Sequence, residues 1–345
     1  MDKGGTNPPG LDLARLRAHL DAERPGLVAG ELRARLIAGG RSNLTYEVSD
    51  GASRWVVRRP PLGHVLPTAH DMGREHRVIT ALAPTSVPVP GTRLLCTDAE
   101  VLGAPFYVMD FVEGTPYRQA EQLAGIGPEH TRAVVLDLVD TLVDLHAVDP
   151  AEVGLADFGR PEGFLERQVR RWGKQLDASR SRDLPGIDEL RAGLAERLPA
   201  SPAPTIVHGD YRLDNALVAE AGGRHRITAV LDWEMSTLGD PLTDLALIAV
   251  YSGTEQPSVP GVGDASRAEG FPRVDELVER YAERSGRDLA HFDFYVALAF
   301  FKLAVILEGI HFRFTQGKTV GGDFEHIGEA VPGLVDSGLK RLHRL

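Results

Sequence analysis

Ile206-Val-His208-Gly-Asp210-Tyr-Arg212-Leu-Asp-Asn215-Ala-Leu-Val218 is followed by a polar turn. The chain then runs Val230-Leu-Asp232-Trp-Glu-Met-Ser-Thr-Leu-Gly-Asp240-Pro-Leu-Thr-Asp244-Leu. Asn215 to Val218 reads as a short strand, Ala221-Gly-Gly223 as a turn and Ile227 to Leu231 as a return strand, which predicts a β-hairpin. Folding it back brings the start of the first strand near the end of the second. Asn215 and Asp232 are therefore expected at the same open end, within reach of one Mg²⁺. Asp210 falls in the loop just before, placed to take a proton from a substrate hydroxyl.

His208, Asp210 and Asn215 spell H-x-D-x-x-x-x-N, with Asp232 on a separate apolar run. That is the spacing of the protein-kinase catalytic loop and its metal-binding aspartate, with Asp-Trp-Glu in place of Asp-Phe-Gly. Phosphoryl transfer is the chemistry this residue set suits.

The 345 residues suffice for two lobes with substantial cores, and 43% hydrophobic with 25% charged residues is ordinary for a folded soluble protein. A net charge of −11 argues against a general nucleic-acid partner. Cys96 is the one cysteine, so neither an intrachain disulfide nor a cysteine zinc cluster is expected. Residues 1–10 lack an apolar signal core, and the most apolar stretch, Phe294 to Ile310, carries Lys302 and Glu308 and reads as too short and too charged to span a bilayer. No membrane partner and a cytoplasmic location are expected by elimination.

Leucines at 11, 13, 16 and 20 predict a short amphipathic helix after a tail, together residues 1–25. Residues 26–112 read as a β-rich lobe. Its Gly39-Gly40-Arg-Ser42-Asn43 turn joins two strands and suits either a plain hairpin or a cover over phosphates, where Gly40, Ser42 and Asn43 would face the oxygens. In the strand Trp55-Val-Val-Arg58-Arg59, alternation sends the two arginines to opposite faces. Arg58 is assigned to the nucleotide phosphates and Arg59 to solvent. A helix over 68–83 follows, with Glu75 the carboxylate best placed to pair with the strand cation. Residues 113–117 break the strand pattern as a hinge, and the backbone of Asp110 and Val112 just before it is expected to face an adenine edge.

From residue 118 to 345 the pattern is helical, with helices near 129–148, 164–176, 188–198, 273–285 and 292–313. His146 follows the apolar stripe of the first and is expected as a packed core histidine. Asp240-Pro-Leu-Thr-Asp244 reads as a helix start, with Asp240 and Asp244 mainly structural and available to brace the catalytic loop.

With these residues quoted, the sequence resembles the aminoglycoside phosphotransferase and choline-kinase-like family, over about residues 30 to 315. It looks most like the branch associated with acyl-CoA dehydrogenases. His208-Gly-Asp-Tyr-Arg-Leu-Asp-Asn215, Leu231-Asp-Trp-Glu234 and Gly239-Asp-Pro-Leu-Thr-Asp-Leu-Ala246 carry the likeness. The resemblance implies an α+β, bilobal protein-kinase-like fold, with ATP between a five-stranded N-lobe and a helical C-lobe. It implies Asp210 as catalytic base, Asn215 and Asp232 as Mg²⁺ ligands, His208 as a prop for the loop and Arg212 as a neutraliser of the transferring phosphoryl group. The expected acceptor is a small-molecule hydroxyl, a hydroxyacyl thioester or an aminoglycoside-like compound, met by a monomer or homodimer. Arginine replaces the usual lysine on the third strand, which motivates an alternative: a catalytically silent nucleotide-binding module. A hydrolase metal site is a third reading, and it leaves Asn215 without a task.

Overall fold

A computed structural model describes residues 7–37, 43–62, 70–253, 263–317 and 325–345. The chain divides into two compact units, residues 1–113 with 228–236, and residues 114–227 with 237–345.

The first unit opens with helix α1 (Leu13–Glu23), whose N-terminus is capped by the Asp12 carboxylate accepting from the amides of Ala14 and Arg15. Strands β1 (Arg33–Leu36), β2 (Leu44–Ser49) and β3 (Arg54–Arg59) follow, then helix α2 (Met72–Leu82), β4 (Thr92–Cys96), the one-turn helix α3 (Ala99–Leu102) and β5 (Phe106–Asp110). The strands form one antiparallel sheet in the order β1-β2-β3-β5-β4. Tyr46, Val48, Trp55, Val57, Leu94, Cys96, Phe106 and Val108 point to one face and pack with Leu13, Leu16 and Leu20 of α1. Burying each such leucine contributes about 1.5–3 kcal/mol, which is why a short helix of modest propensity stays folded there.

Helix α2 buries Met72, Val78, Ile79 and Leu82. Glu75 lies three residues from Met72 and four from Ile79, so the same 3.6-residue period that buries those side chains buries the carboxylate, which is 1% exposed.

The second unit begins with α4 (Ala120–Ala124), α5 (Pro128–Ala147), α6 (Phe164–Ser179) and α7 (Ile187–Glu196). Strand β6 (Thr205–Val207) leads into the loop around His208. Strands β7 (Ala216–Ala221) and β8 (Arg224–Val230) form a two-stranded sheet, and β8 carries the chain back to residues 228–236 of the first unit. The hairpin is longer than its sequence suggests, because Gly222 and Gly223 turn at φ of 63° and 76° and let pairing run close to the tip. Strand β9 (Thr237–Gly239) pairs antiparallel with β6, Thr205 opposite Gly239 and Val207 opposite Thr237. Helices α8 (Leu242–Ser252), α9 (Val274–Ser285), α10 (Phe292–Thr315) and α11 (Val331–Leu342) complete the unit.

Helix α10 is 24 residues long, so length and composition alone would let it cross a membrane, contrary to the shorter run read from sequence; 78% of its most apolar window is buried within the protein, as suits a core helix. Its Glu308 is fully buried and receives two N–H groups of Arg182, at 3.1 and 2.9 Å.

Candidate active site

In the first unit the chemistry lies along one row of the sheet. Thr45, Arg58 and Tyr107 are directly paired across β2, β3 and β5, so their side chains share a face, the one turned away from α1. Arg58 donates from Nε to Glu75 Oε2 at 3.1 Å, from Nη1 to Thr45 Oγ1 at 3.3 Å and from Nη2 to Asp232 Oδ1 at 2.5 Å. Tyr107, buried, donates its hydroxyl to Glu75. Burial pushes the Glu75 carboxyl up to about 7, against the downward pull of Arg58.

Arg59 faces the opposite way, on the side of Val57 and Tyr46. It is 4% exposed, and its Nη1 donates to the carbonyls of Gly10 and Leu102, at 2.5 and 2.6 Å. The expectation that it meets solvent is corrected here: α1 and its preceding turn cover that face.

Asp232 holds a left-handed backbone, φ 66° and ψ 58°, at the end of β8. For a residue with a Cβ this costs about 1–2 kcal/mol, and aspartate tolerates it better than most. The bend turns its carboxylate onto Arg58. Next to it, Trp233 is buried with Nε1 donating to the Val230 carbonyl at 2.9 Å, and Glu234 accepts from Asn43 Nδ2 at 3.1 Å. Asn43 is thus tied to the Asp-Trp-Glu turn, and Gly40 and Ser42 lie outside the described residues. The Asp110 amide donates to the Gly91 carbonyl at 2.8 Å, and its carboxylate takes Arg93. That N–H is thus taken within the first unit; Val112 is half-buried beyond the strand end.

In the second unit, β6 ends at Val207 and the loop turns at Gly209, φ 85°, a conformation that an added Cβ would strain. Two amides, of His208 and Gly209, donate to the carboxylate oxygens of Asp244, at 2.6 and 2.8 Å. Pairing of β6 with β9 puts α8, and with it Asp244, beneath the loop. Burial alone would raise this carboxyl; its hydrogen bond from His146 and the amide donors hold it below the ordinary range. His146 is buried between Asp244 and the Tyr281 hydroxyl, 2.7 Å from Nδ1, and burial lowers its pKa, so it stays neutral.

His208 is fully buried. Its Nδ1 accepts the Asp210 amide at 3.2 Å and its ring meets Tyr211 edge to face at 5.6 Å. A ring so enclosed props the loop. Asn215, on a 3₁₀ turn, donates from Nδ2 to the Asp210 carbonyl at 2.9 Å and to Asp210 Oδ2 at 3.0 Å, which turns the amide oxygen the other way. Arg212 has Nε 3.5 Å from Asp210 Oδ2 and 3.1 Å from Asp214 Oδ1, and its guanidinium lies 5.1 Å from the Tyr251 ring centre. A cavity of about 40 Å³ opens beside Arg212, Asp214 and Tyr251, room for ordered water and too small for an acceptor.

Sequence reasoning missed Tyr107, Thr45 and Tyr251, whose types carry no motif. It noted Lys302 only as a charge in an apolar run; Lys302 Nζ donates to the Gly209 carbonyl at 2.6 Å.

Residues 33–300 match the profile of the phosphotransferase enzyme family. Acyl-CoA dehydrogenase family member 11 of Rattus norvegicus is 35% identical over 344 residues, 97% of this chain and 44% of that protein. The chain thus spans less than half the length of this curated relative. A crystal structure from Ralstonia eutropha, provisionally assigned as an aminoglycoside phosphotransferase, superimposes with a TM-score of 0.83 at 31% identity, covering 96% of this chain and 98% of that one. An aminoglycoside phosphotransferase solved with GDP and kanamycin shares the fold at a TM-score of 0.62 and 14% identity, covering 94% and 98%. The fold is the α+β, protein-kinase-like fold of these enzymes.

Proposed function

Because the chain belongs to the phosphotransferase enzyme family, we propose that it transfers the γ-phosphoryl group of ATP to the hydroxyl of a small molecule. The observation that carries this is the Asp210 carboxylate held by the Asn215 amide at 3.0 Å, on a loop pinned from below by Asp244. A carboxylate held in this way supports the reading, because orientation set in advance lowers the cost of reaching the reactive geometry.

Asp210 takes the proton of the acceptor hydroxyl as its oxygen bonds to the γ-phosphorus, while the bond from that phosphorus to the β,γ-bridging oxygen breaks and ADP leaves. Arg58, fixed by Glu75 and Thr45, supplies the cation for the α- and β-phosphates; a guanidinium forks onto two oxygens where an ammonium makes point contacts. Arg212 lends positive charge next to Asp210. Mg²⁺, bound with the nucleotide, would neutralise charge on the triphosphate. Each expected donor, taken in its own unit, is an oxygen of the kind that hard cation takes: in the second unit the Asn215 amide oxygen is turned away from Asp210, and in the first the Asp232 carboxylate, two residues past β8, is 30% exposed. Residues 113–117 serve as the hinge of the molecule, which works in the cytoplasm.

For the acceptor we favour a hydroxyacyl thioester, on the likeness to a relative named for acyl-CoA dehydrogenation. Incubating the protein with γ-labelled Mg·ATP and either a panel of hydroxyacyl-CoA thioesters or kanamycin tests this. Label is expected in the thioester. Label in kanamycin alone would reverse the choice of acceptor.

A further inference from the structure

Helix α10 carries two charged residues in its apolar middle, Lys302 and Glu308. Glu308 is matched by Arg182. Lys302 has no carboxylate within 4.0 Å among the described residues; its ammonium sits on the Gly209 carbonyl at 2.6 Å, with the Trp172 ring centre 5.6 Å away. A methionine or leucine would fill the same space in this helix without desolvating a charge. The lysine therefore does something an apolar side chain cannot.

Gly209 is the residue before the proposed base and the one with the left-handed backbone. Its amide is taken by Asp244 at 2.8 Å and its carbonyl by Lys302. The peptide group joining Gly209 to Asp210 thus has its carbonyl on Lys302 and its N–H on His208 Nδ1 at 3.2 Å; with the carbonyl released it would rock about Gly209 ψ and Asp210 φ, and the Asp210 carboxylate would swing with it. We propose that Lys302 is a positioning residue for phosphoryl transfer, clamping the Gly209 carbonyl so that the Asp210 carboxylate is aimed before the acceptor binds. The inference rests on Asp210 as base, the reading given above.

The arrangement also places charge well. Burial lowers the Lys302 pKa, and the carboxylates of Asp210 and Asp244 pull it back up. The cation thus faces both the base and the group that braces its loop. Arg171 and Arg212 face it too and push the other way. The Trp172 ring lies near both cations, with the Lys302 ammonium 5.6 Å and the Arg171 guanidinium 5.4 Å from its centre. Indole faces favour cations, so one ring steadies both.

The test uses the whole chain with Lys302→Met, which keeps length and drops the donor, and Lys302→Arg, which keeps the charge. Hydrogen exchange is read at the amides of residues 208–211. Lys302→Met is expected to speed it tenfold or more while the amides of α10 stay protected, and Lys302→Arg to restore most of the protection. Phosphate release from Mg·ATP, with water as acceptor, is expected to lose at least tenfold in kcat in Lys302→Met with the KM for ATP within twofold. Unchanged exchange and unchanged kcat in Lys302→Met would overturn the proposal. If Lys302→Met does not fold, Lys302→Gln is read by the same two measures. Wild-type release no faster than that of Asp210→Asn would instead sink the phosphotransfer reading, and the clamp would then be judged by exchange alone.

Discussion

Arg58 Nη2 lies 2.5 Å from Asp232 Oδ1, so the strand cation and the carboxylate expected to ligate Mg²⁺ are already an ion pair within one unit. The other side of the same guanidinium holds Glu75. One arginine thereby links β3, α2 and the Asp-Trp-Glu turn. A metal–nucleotide complex arriving at Asp232 has to share that carboxylate with Arg58 or draw the guanidinium onto phosphate.

The two neighbouring arginines should separate by what they damage. Arg58→Ala leaves Glu75 buried without its cation and is expected to raise the KM for ATP tenfold or more, with a loss of about 3 kcal/mol in stability, as for breaking a buried pair. Arg59→Ala removes the donor to the Gly10 and Leu102 carbonyls, so it should lower Tm and leave the KM for ATP within twofold. A larger KM effect from Arg59→Ala would mean that the strand presents the other face to nucleotide.

Glu75 sets a pH dependence of stability. Its carboxyl is raised from 4.5 to about 7 in the folded protein, so the folded state binds the proton more tightly than the unfolded chain. The stabilising contribution is full below about pH 4.5 and fades as pH rises to about 7. At about 1.4 kcal/mol per pH unit, it amounts to roughly 3 kcal/mol. Glu75→Gln should flatten this limb of the stability curve in denaturant titrations between pH 4.5 and 7. An identical slope in the variant would show that Arg58 keeps the carboxylate charged throughout.

Asp232→Ala should weaken ATP binding only when Mg²⁺ is present. Calorimetric titration with ATP is expected to give a Kd raised at least tenfold in magnesium buffer and little changed in EDTA. Equal affinities for variant and wild type in both buffers would remove Asp232 from the metal site.

Much of this was legible from residue type and spacing. The period of Met72, Glu75, Ile79 and Leu82 foretold α2, Glu75 was read as the partner of the strand cation, and strand alternation separated Arg58 from Arg59. Alternation says which face a side chain takes; it does not say what covers that face, and α1 over Arg59 was invisible for that reason. The pairing of β6 with β9 was missed because three-residue strands leave no periodic trace, yet it is what carries Asp244 under Gly209. Backbone readout of the kind expected of Asp110 leaves no side-chain signature, and the partner of its amide, the Gly91 carbonyl, is fixed by how the chain folds and not by residue type. Lys302 showed in the sequence as an oddity, a charge in an apolar helix, and only the structure supplied its carbonyl partner.

The central claim is that Asp210 accepts the proton of an attacking hydroxyl during phosphoryl transfer. Single-turnover transfer from γ-labelled Mg·ATP to a hydroxyacyl-CoA, comparing wild type with Asp210→Asn, tests it most directly. The expected result is a rate lowered by at least a hundredfold in the variant, with the Kd for Mg·ATP within threefold. Equal transfer rates in the two proteins would contradict the account.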